Sequence, residues 1–287
     1  MAAPSSVSAI EVGELTPPGR FADVGTHRLY YRCAGAGRPL VIIDSGLGGA
    51  AIEWTEVQSR LEARATVCTY DRAGYGWSDP GPSPRTTRRA VTELRALLQA
   101  AKLTPPYILV GHSLGGFNVR YFAAKYPTEV AGLVLIESSH PLQQMSRVTT
   151  ASGAHDPFLG NSQAPDTITD RNFAVAHYLN TRRKAVFAQM DEMRNFERSA
   201  RQVEAIGALP RIPLLVLTRD PRRGLKDLVA ESHWQSYQLT LSKLSPLGEF
   251  QIAPNSNHEI HRQHPELAAA AILSIIHRRN LDVSLRH

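Results

Sequence analysis

The sequence predicts an α/β fold built on one eight-stranded, mostly parallel sheet flanked by helices. Three observations carry it. Short apolar runs alternate with segments of helical period from residue 20 to 136, the rhythm of strands joined by covering helices. The chain has 287 residues, 43% of them hydrophobic and 20% charged, enough to cover both faces of such a sheet. Between Ile136 and Pro213 the rhythm stops for about 75 residues, too many for a simple crossover, and then resumes.

The expected strands are Arg20 to Val24, Leu29 to Cys33, Leu40 to Ile43, Thr66 to Tyr70, Ile108 to Gly111, Gly132 to Ile136, Leu214 to Leu217 and Glu249 to Ile252, the first two antiparallel at one edge. The helix after Pro84 carries Val91, Leu94, Leu98 and Ala101 on one stripe that suits a sheet face. The helix after Ser113 places Leu114, Phe117 and Tyr121 on one side and has to stop before Pro127. Within the break lie a polar segment, Thr149 to Asp166, and a long charged helical stretch from Asp170 to Ala205. An active-site lid is the economical reading of that insertion. Its Phe173, Tyr178, Phe187, Met190, Met193 and Phe196 are expected mostly to pack onto the sheet domain, with a cavity beneath the lid as their other use. The chain therefore divides into a loosely ordered segment, 1–19, a core of 20–138 and 209–287, and a helical cap or lid, 139–208.

The net charge of +6 is spread among scattered arginines and lysines, with no aromatic stacking platform beside them, so no nucleic-acid partner is expected. The longest late apolar run, Leu267 to Ile276, is half of the roughly 20 residues needed to span a bilayer, and membrane insertion is not expected. The first residues carry neither a positive n-region nor an apolar core, which points to a cytoplasmic protein. Cys33 and Cys68 sit in strand-like segments without metal-ligand spacing and read as two buried free thiols. Neither a metal nor an organic cofactor is signalled, since there is no histidine cluster at ligand spacing and no dinucleotide fingerprint.

Chemistry concentrates at Val110-Gly-His-Ser-Leu-Gly-Gly116. Tyr107 to Val110 is a buried-strand run and Leu114 onward is helical, so Ser113 lies at a strand-to-helix turn with glycines at positions 111, 115 and 116. A sharp turn of this kind leaves the hydroxyl exposed at the C-terminal edge of the sheet, and the glycines allow strand and helix to approach. The following helix adds the partial positive charge of its N-terminus.

On these residues, with Ile43-Asp-Ser-Gly-Leu-Gly-Gly49, Tyr70-Asp-Arg-Ala-Gly-Tyr-Gly-Trp-Ser78 and Asn255-Ser-Asn-His258, the chain resembles the α/β-hydrolase family from about residue 20 to 280. The resemblance implies a serine esterase or lipase with Ser113 as nucleophile and His258, in the loop after the last strand, as base. It also implies an oxyanion site made by the backbone N–H groups of Leu47 and Leu114. Ser45 stands where the family usually has His, so a different bracing of that loop is expected. Two carboxylates compete as the acid, Glu137 after the sixth strand and Asp220 after the seventh, and the position directly after strand six favours Glu137. A serine at position 113 excludes the carboxylate-nucleophile chemistry of related epoxide hydrolases and dehalogenases. Esters, lactones, thioesters and small amides remain, and hydrolysis of a small, apolar carboxylic ester or lactone through an acyl-enzyme, with no cofactor, is the leading expectation. Two alternatives stay open: a non-hydrolytic small-molecule receptor on the same scaffold, and a cofactor-free C–C hydrolase or perhydrolase.

Overall fold

The computed structural model describes residues 15–143 and 171–284. Most of the expected N-terminal segment, the polar stretch Thr149 to Asp166 and the Phe173 side chain lie outside the described part. All eight strands form, several of them longer at the ends than their apolar runs: β1 (Arg20–Asp23), β2 (Arg28–Ala34), β3 (Leu40–Asp44), β4 (Thr66–Tyr70), β5 (Tyr107–His112), β6 (Val130–Ile136), β7 (Leu214–Arg219) and β8 (Gly248–Ala253). They join in one sheet in the order β1-β2-β4-β3-β5-β6-β7-β8. β1 and β2 run antiparallel to their neighbours, and every other pairing is parallel.

The central strands β3, β5 and β7 are buried at every position because helices cover both faces. Between the strands run α1 (Thr55–Leu61), α2 (Thr87–Ala100), α3 (Gly115–Lys125), α4 (Arg171–Asn180), α5 (Arg183–Arg194), α6 (Phe196–Glu204) and α7 (Leu228–Ser242), followed by α8 (Ile260–Gln263) and α9 (Pro265–Ser284). Alternate strand residues point to opposite faces. Val41, Ile43, Ile108, Val110, Val134 and Ile136 thus meet α1 and α9, whereas Ile42, Leu109, Leu133 and Leu135 meet α2, α3 and α7. Val91, Leu94 and Leu98, the predicted stripe of α2, are fully buried in this second layer.

Two expectations are corrected, the first only in detail. The helical stretch of 170–205 forms as three helices, broken at Arg182, which is extended (φ −67, ψ 149), and at Asn195 (φ −101, ψ 10). Asn195 ends α5 by turning its Nδ2 back onto the carbonyl and carboxylate of Asp191, both at 2.8 Å. Short polar side chains compete in this way with the helix for backbone partners. Of these helices, α6 docks on α3 through Phe196, Ala200 and Val203. Its Ser199 and Gln202 accept from the first backbone N–H groups of α2, at 3.1 and 2.9 Å.

The second correction concerns the cysteines, which are not free thiols but a disulfide. Cys33 and Cys68 are direct partners in the β2–β4 antiparallel pair, with Cα atoms 4.0 Å apart. Sequence spacing gave no sign of this, because the pairing depends on two strands meeting in register. Among the described residues no helix is long and apolar enough to cross a membrane.

Candidate active site

Ser113 sits between β5 and α3 with φ +49, a left-handed conformation that a non-glycine residue adopts only where its surroundings enforce it. The enforcement is visible. Ser113 N–H donates to Ile136 O (3.2 Å), and Ser113 O accepts from Gly116 N–H (3.0 Å) and Ser139 N–H (2.9 Å). The flanking glycines are required sterically: a Cβ at Gly115 would lie 2.1 Å from Asp44 O, and one at Gly111 would lie 2.6 Å from a Val119 methyl.

Glu137, one residue past β6, is likewise left-handed (φ +46) and fully buried. Its Oε1 accepts from Thr218 Oγ1 (2.7 Å), Arg219 N–H (2.8 Å) and Trp234 Nε1 (3.1 Å). Its Oε2 accepts from Arg219 Nη1 (3.0 Å) and His258 Nδ1 (3.0 Å). Burial alone would raise this carboxyl, but the Arg219 charge and the bonds from His258 and the Arg219 backbone overcome it and hold the group at about 2. An ionised acceptor fixes the His258 proton on Nδ1, which leaves the Nε2 lone pair for another partner.

His258 follows β8 and is buried. Its backbone carbonyl accepts from His112 Nε2 (3.0 Å), and the two imidazole rings lie 4.9 Å apart, so the loop carrying His258 is tied to the residue next to Ser113. Burial lowers His112 to about 4, which keeps that ring neutral and donating. Asp220, the competing acid, faces elsewhere. Arg222 and the Asn255 backbone N–H take up its oxygens, and those bonds hold its carboxyl well below the usual range. The structure therefore brings Glu137, and not Asp220, onto His258.

Leu47 and Leu114 line one cleft with Ser113, together with Ser139, Gln143, Glu192, Met193 and Phe196. Among the described residues, neither the Leu47 nor the Leu114 backbone N–H donates to another group. The loop before Leu47 is braced without the family's histidine: Ser45 Oγ accepts from Trp54 Nε1 (3.0 Å), and Arg72 holds the carbonyls of Ser45 and Gly46. Arg72, Arg219 and Glu192 were given no role by the sequence: Arg72 lies in the glycine-rich motif of residues 70–78, but neither that motif nor the local pattern around Arg219 and Glu192 shows which partners they meet. Met193 and Phe196 reach the cleft, while Phe187 is exposed.

His112, Glu259 and His261 bring potential ligand atoms within 4.8 Å of one another, although His112 Nε2 is already committed to His258 O.

The family model described as alpha/beta hydrolase fold matches residues 39–201, and the chain belongs to that family. A relative from Bacillus subtilis (strain 168), "Uncharacterized protein YqjL", is 28% identical over 235 residues, covering 82% of each chain. Several other relatives are matched over only 17 to 42% of their own length. Among solved structures, a thermophilic esterase from Thermogutta terrifontis superposes with a TM-score of 0.66 at 20% identity, covering 88% of this chain and 94% of that one. The epoxide hydrolase CorEH superposes with a TM-score of 0.70 at 18% identity, covering 91% and 98%. At these identities the likeness shows the fold alone, so hydrolases of different chemistry share it.

Proposed function

We propose that the protein is a serine hydrolase that cleaves a carboxylic ester or lactone of a small apolar substrate. The observation that carries this reading is the 3.0 Å bond from His258 Nδ1 to a carboxylate held ionised at about 2, with the His258 carbonyl bonded to His112, the chain neighbour of a serine in the left-handed turn before α3. Ser113 Oγ attacks the carbonyl carbon while His258 Nε2 takes its proton. Glu137 keeps the imidazole in the right tautomer and stabilises the imidazolium. The N–H groups of Leu47 and Leu114 receive the developing oxyanion, worth about 3 to 4 kcal/mol per donor. The alcohol leaves with the proton from His258, and water then attacks the acyl-enzyme along the same route.

Leu47, Leu114, Met193 and Phe196 favour an apolar group in the cleft. The serine separates this chain from the epoxide hydrolase neighbour, because an alkyl-enzyme ester needs a carboxylate nucleophile. Residues 139–208 act as a cap that supplies binding surface. A cytoplasmic placement requires Cys33 and Cys68 to be reduced in the cell. The disulfide is the observation against it, since such bonds persist mainly in oxidising compartments.

The test is turnover of a p-nitrophenyl ester series with fluorophosphonate labelling, using Ser113→Ala as control. Hydrolysis falling by about 10⁴-fold or more in the variant is expected. Variant rates equal to wild type would end the proposal, and labelling of Ser113 without turnover would move it to the receptor reading.

A further inference from the structure

Arg72 is buried two residues past β4, and each of its five N–H donors has a partner. Nη1 donates to Asp44 Oδ1 (2.7 Å) and Ser45 O (2.5 Å), and Nη2 to Gly46 O (2.7 Å) and Glu192 Oε2 (3.1 Å). Nε donates to Glu192 Oε1 (2.8 Å). Two segments distant in sequence meet at this one guanidinium: the end of β3 with the loop that follows it, residues 44–46, and α5. Tyr75 OH adds a 2.7 Å bond to Glu192 Oε2, and the guanidinium lies 5.0 Å from the Tyr75 ring centre. Glu192 also lines the cleft that holds Ser113.

The bond to Gly46 O has a geometric consequence. The Gly46–Leu47 peptide is trans, so its C=O and N–H point in opposite directions within one plane. Holding Gly46 O on Arg72, with a second bond from Gly49 N–H at 3.2 Å, turns the Leu47 N–H to the other side, where Leu47 faces the cleft. Glu192 in turn fixes the guanidinium plane by a two-point contact of the kind carboxylates make with arginine.

We infer that Arg72, oriented by Glu192 of α5, is the positioning residue that aims the Leu47 N–H at the oxyanion, so that the seating of α5 and the competence of the oxyanion site are one event. This rests on the ester-hydrolase reading above. The plane of the Gly46–Leu47 peptide is then set by a carboxylate from the inserted helices, and an α5 that lifts away frees that peptide to rotate.

Two variants, Arg72→Lys and Glu192→Gln, test it by kcat, KM and the rate ratio between an ester and its thionoester, each measured at equal folded fraction. Sulfur is large and a weak acceptor, so a well-aimed oxyanion donor favours the oxygen substrate and a misaimed one loses that preference. Lysine keeps the charge, but one ammonium with three N–H donors cannot make the five bonds that join residues 44–46 to Glu192. Its kcat is expected to fall about 100-fold, at the low end of the effect of deleting an oxyanion donor, and Glu192→Gln about tenfold. KM should stay nearly constant while the oxygen-to-sulfur ratio drops in parallel. If Arg72→Lys does not fold, Glu192→Gln, which preserves shape, decides alone. An active wild type whose variants keep its kcat overturns the inference and leaves the ester reading standing. A lower kcat with an unchanged oxygen-to-sulfur ratio also overturns it, as the mark of a merely structural role. A wild type inert on every ester overturns the ester reading, and the inference with it.

Discussion

The two halves of the site are built on the same motif, a buried arginine between two carboxylates, but on different foundations. On one side Arg219 joins Glu137 (3.0 Å) to Glu231 (2.7 Å), and on the other Arg72 joins Asp44 (2.7 Å) to Glu192 (2.8 Å). Glu231 lies on α7, which packs on β7 and β8, so the acid half stands on the sheet and its own covering helix. Glu192 lies on α5, within the insertion, so the oxyanion half includes a segment outside the sheet layers. On the proposed function, the difference separates what the sheet and its covering helix hold, the Glu137–His258 pair, from what a shift of the inserted helices would alter.

The largest expected effect tests the acid half. Glu137→Gln keeps the shape but gives His258 Nδ1 a neutral partner and the wrong tautomer preference, and kcat should fall on the order of 10⁴-fold. Asp220→Asn keeps an acceptor for the Asn255 N–H in the loop that carries His258 while losing the Arg222 ion pair, and should lower kcat far less, by about tenfold or below. Ester kinetics on both variants checks this. A larger loss at Asp220 would show that the acid half has been assigned to the wrong strand end.

Next is rigidity. Arg219→Met leaves Glu137 and Glu231 buried without their cation, and the loss of one partner from such a network costs about 3 to 5 kcal/mol. The exposed pair Arg28–Asp79, with 59% of the arginine side chain accessible, makes the contrast, since solvent screens it and Arg28→Met should leave the midpoint almost unchanged. Urea unfolding of the two variants gives the comparison directly. Equal midpoints would mean that the Arg219 network contributes nothing to the stability of the core.

Much of this arrangement is legible in the sequence, and the illegible part has a common cause. Strand positions, the covering stripe of α2 and the turn at Ser113 follow from local apolar period and glycine placement, which act over a few residues. Chain order brought Ser113 and His258 to attention, and the position directly after β6 favoured Glu137. That Asp220 faces Arg222 instead of the base depends on where a side chain points after β7, and no local pattern encodes that. Arg72, Glu192, Arg219 and the Cys33–Cys68 bond were missed for the same reason: their meaning lies in partners 120, 82 or 35 positions away that meet only when the sheet has assembled. The split of 170–205 into three helices was lost differently, because Asn195 is compatible with a helix until its side chain finds Asp191.

The smallest effect separates the two halves by pH. Glu137 is held at about 2 in the folded protein, against about 4.3 for an exposed glutamate, so the folded state binds its proton later than the unfolded state. A depressed acid adds stability that is complete above the unfolded value and is lost as pH falls toward the folded one. Between about pH 4.3 and 2 this contribution, on the order of 3 kcal/mol, should therefore drain away. Asp44 behaves in the opposite sense: burial outweighs Arg72, Tyr70 and Asn118 and raises its carboxyl, so acidification relieves a penalty there. Urea unfolding repeated down the acid range resolves the two. Glu137→Gln should flatten the fall in stability across that window by about 1.4 kcal/mol per pH unit, the slope of one proton, whereas the Asp44 relief lies above about pH 3.9, between its raised value and the unfolded one, so Asp44→Asn should remove it there and leave the slope below unchanged. An unchanged acid slope in Glu137→Gln would mean that its carboxylate is not held by Arg219 and His258 as the distances imply, and the contrast between a fixed acid half and a movable oxyanion half would lose its basis.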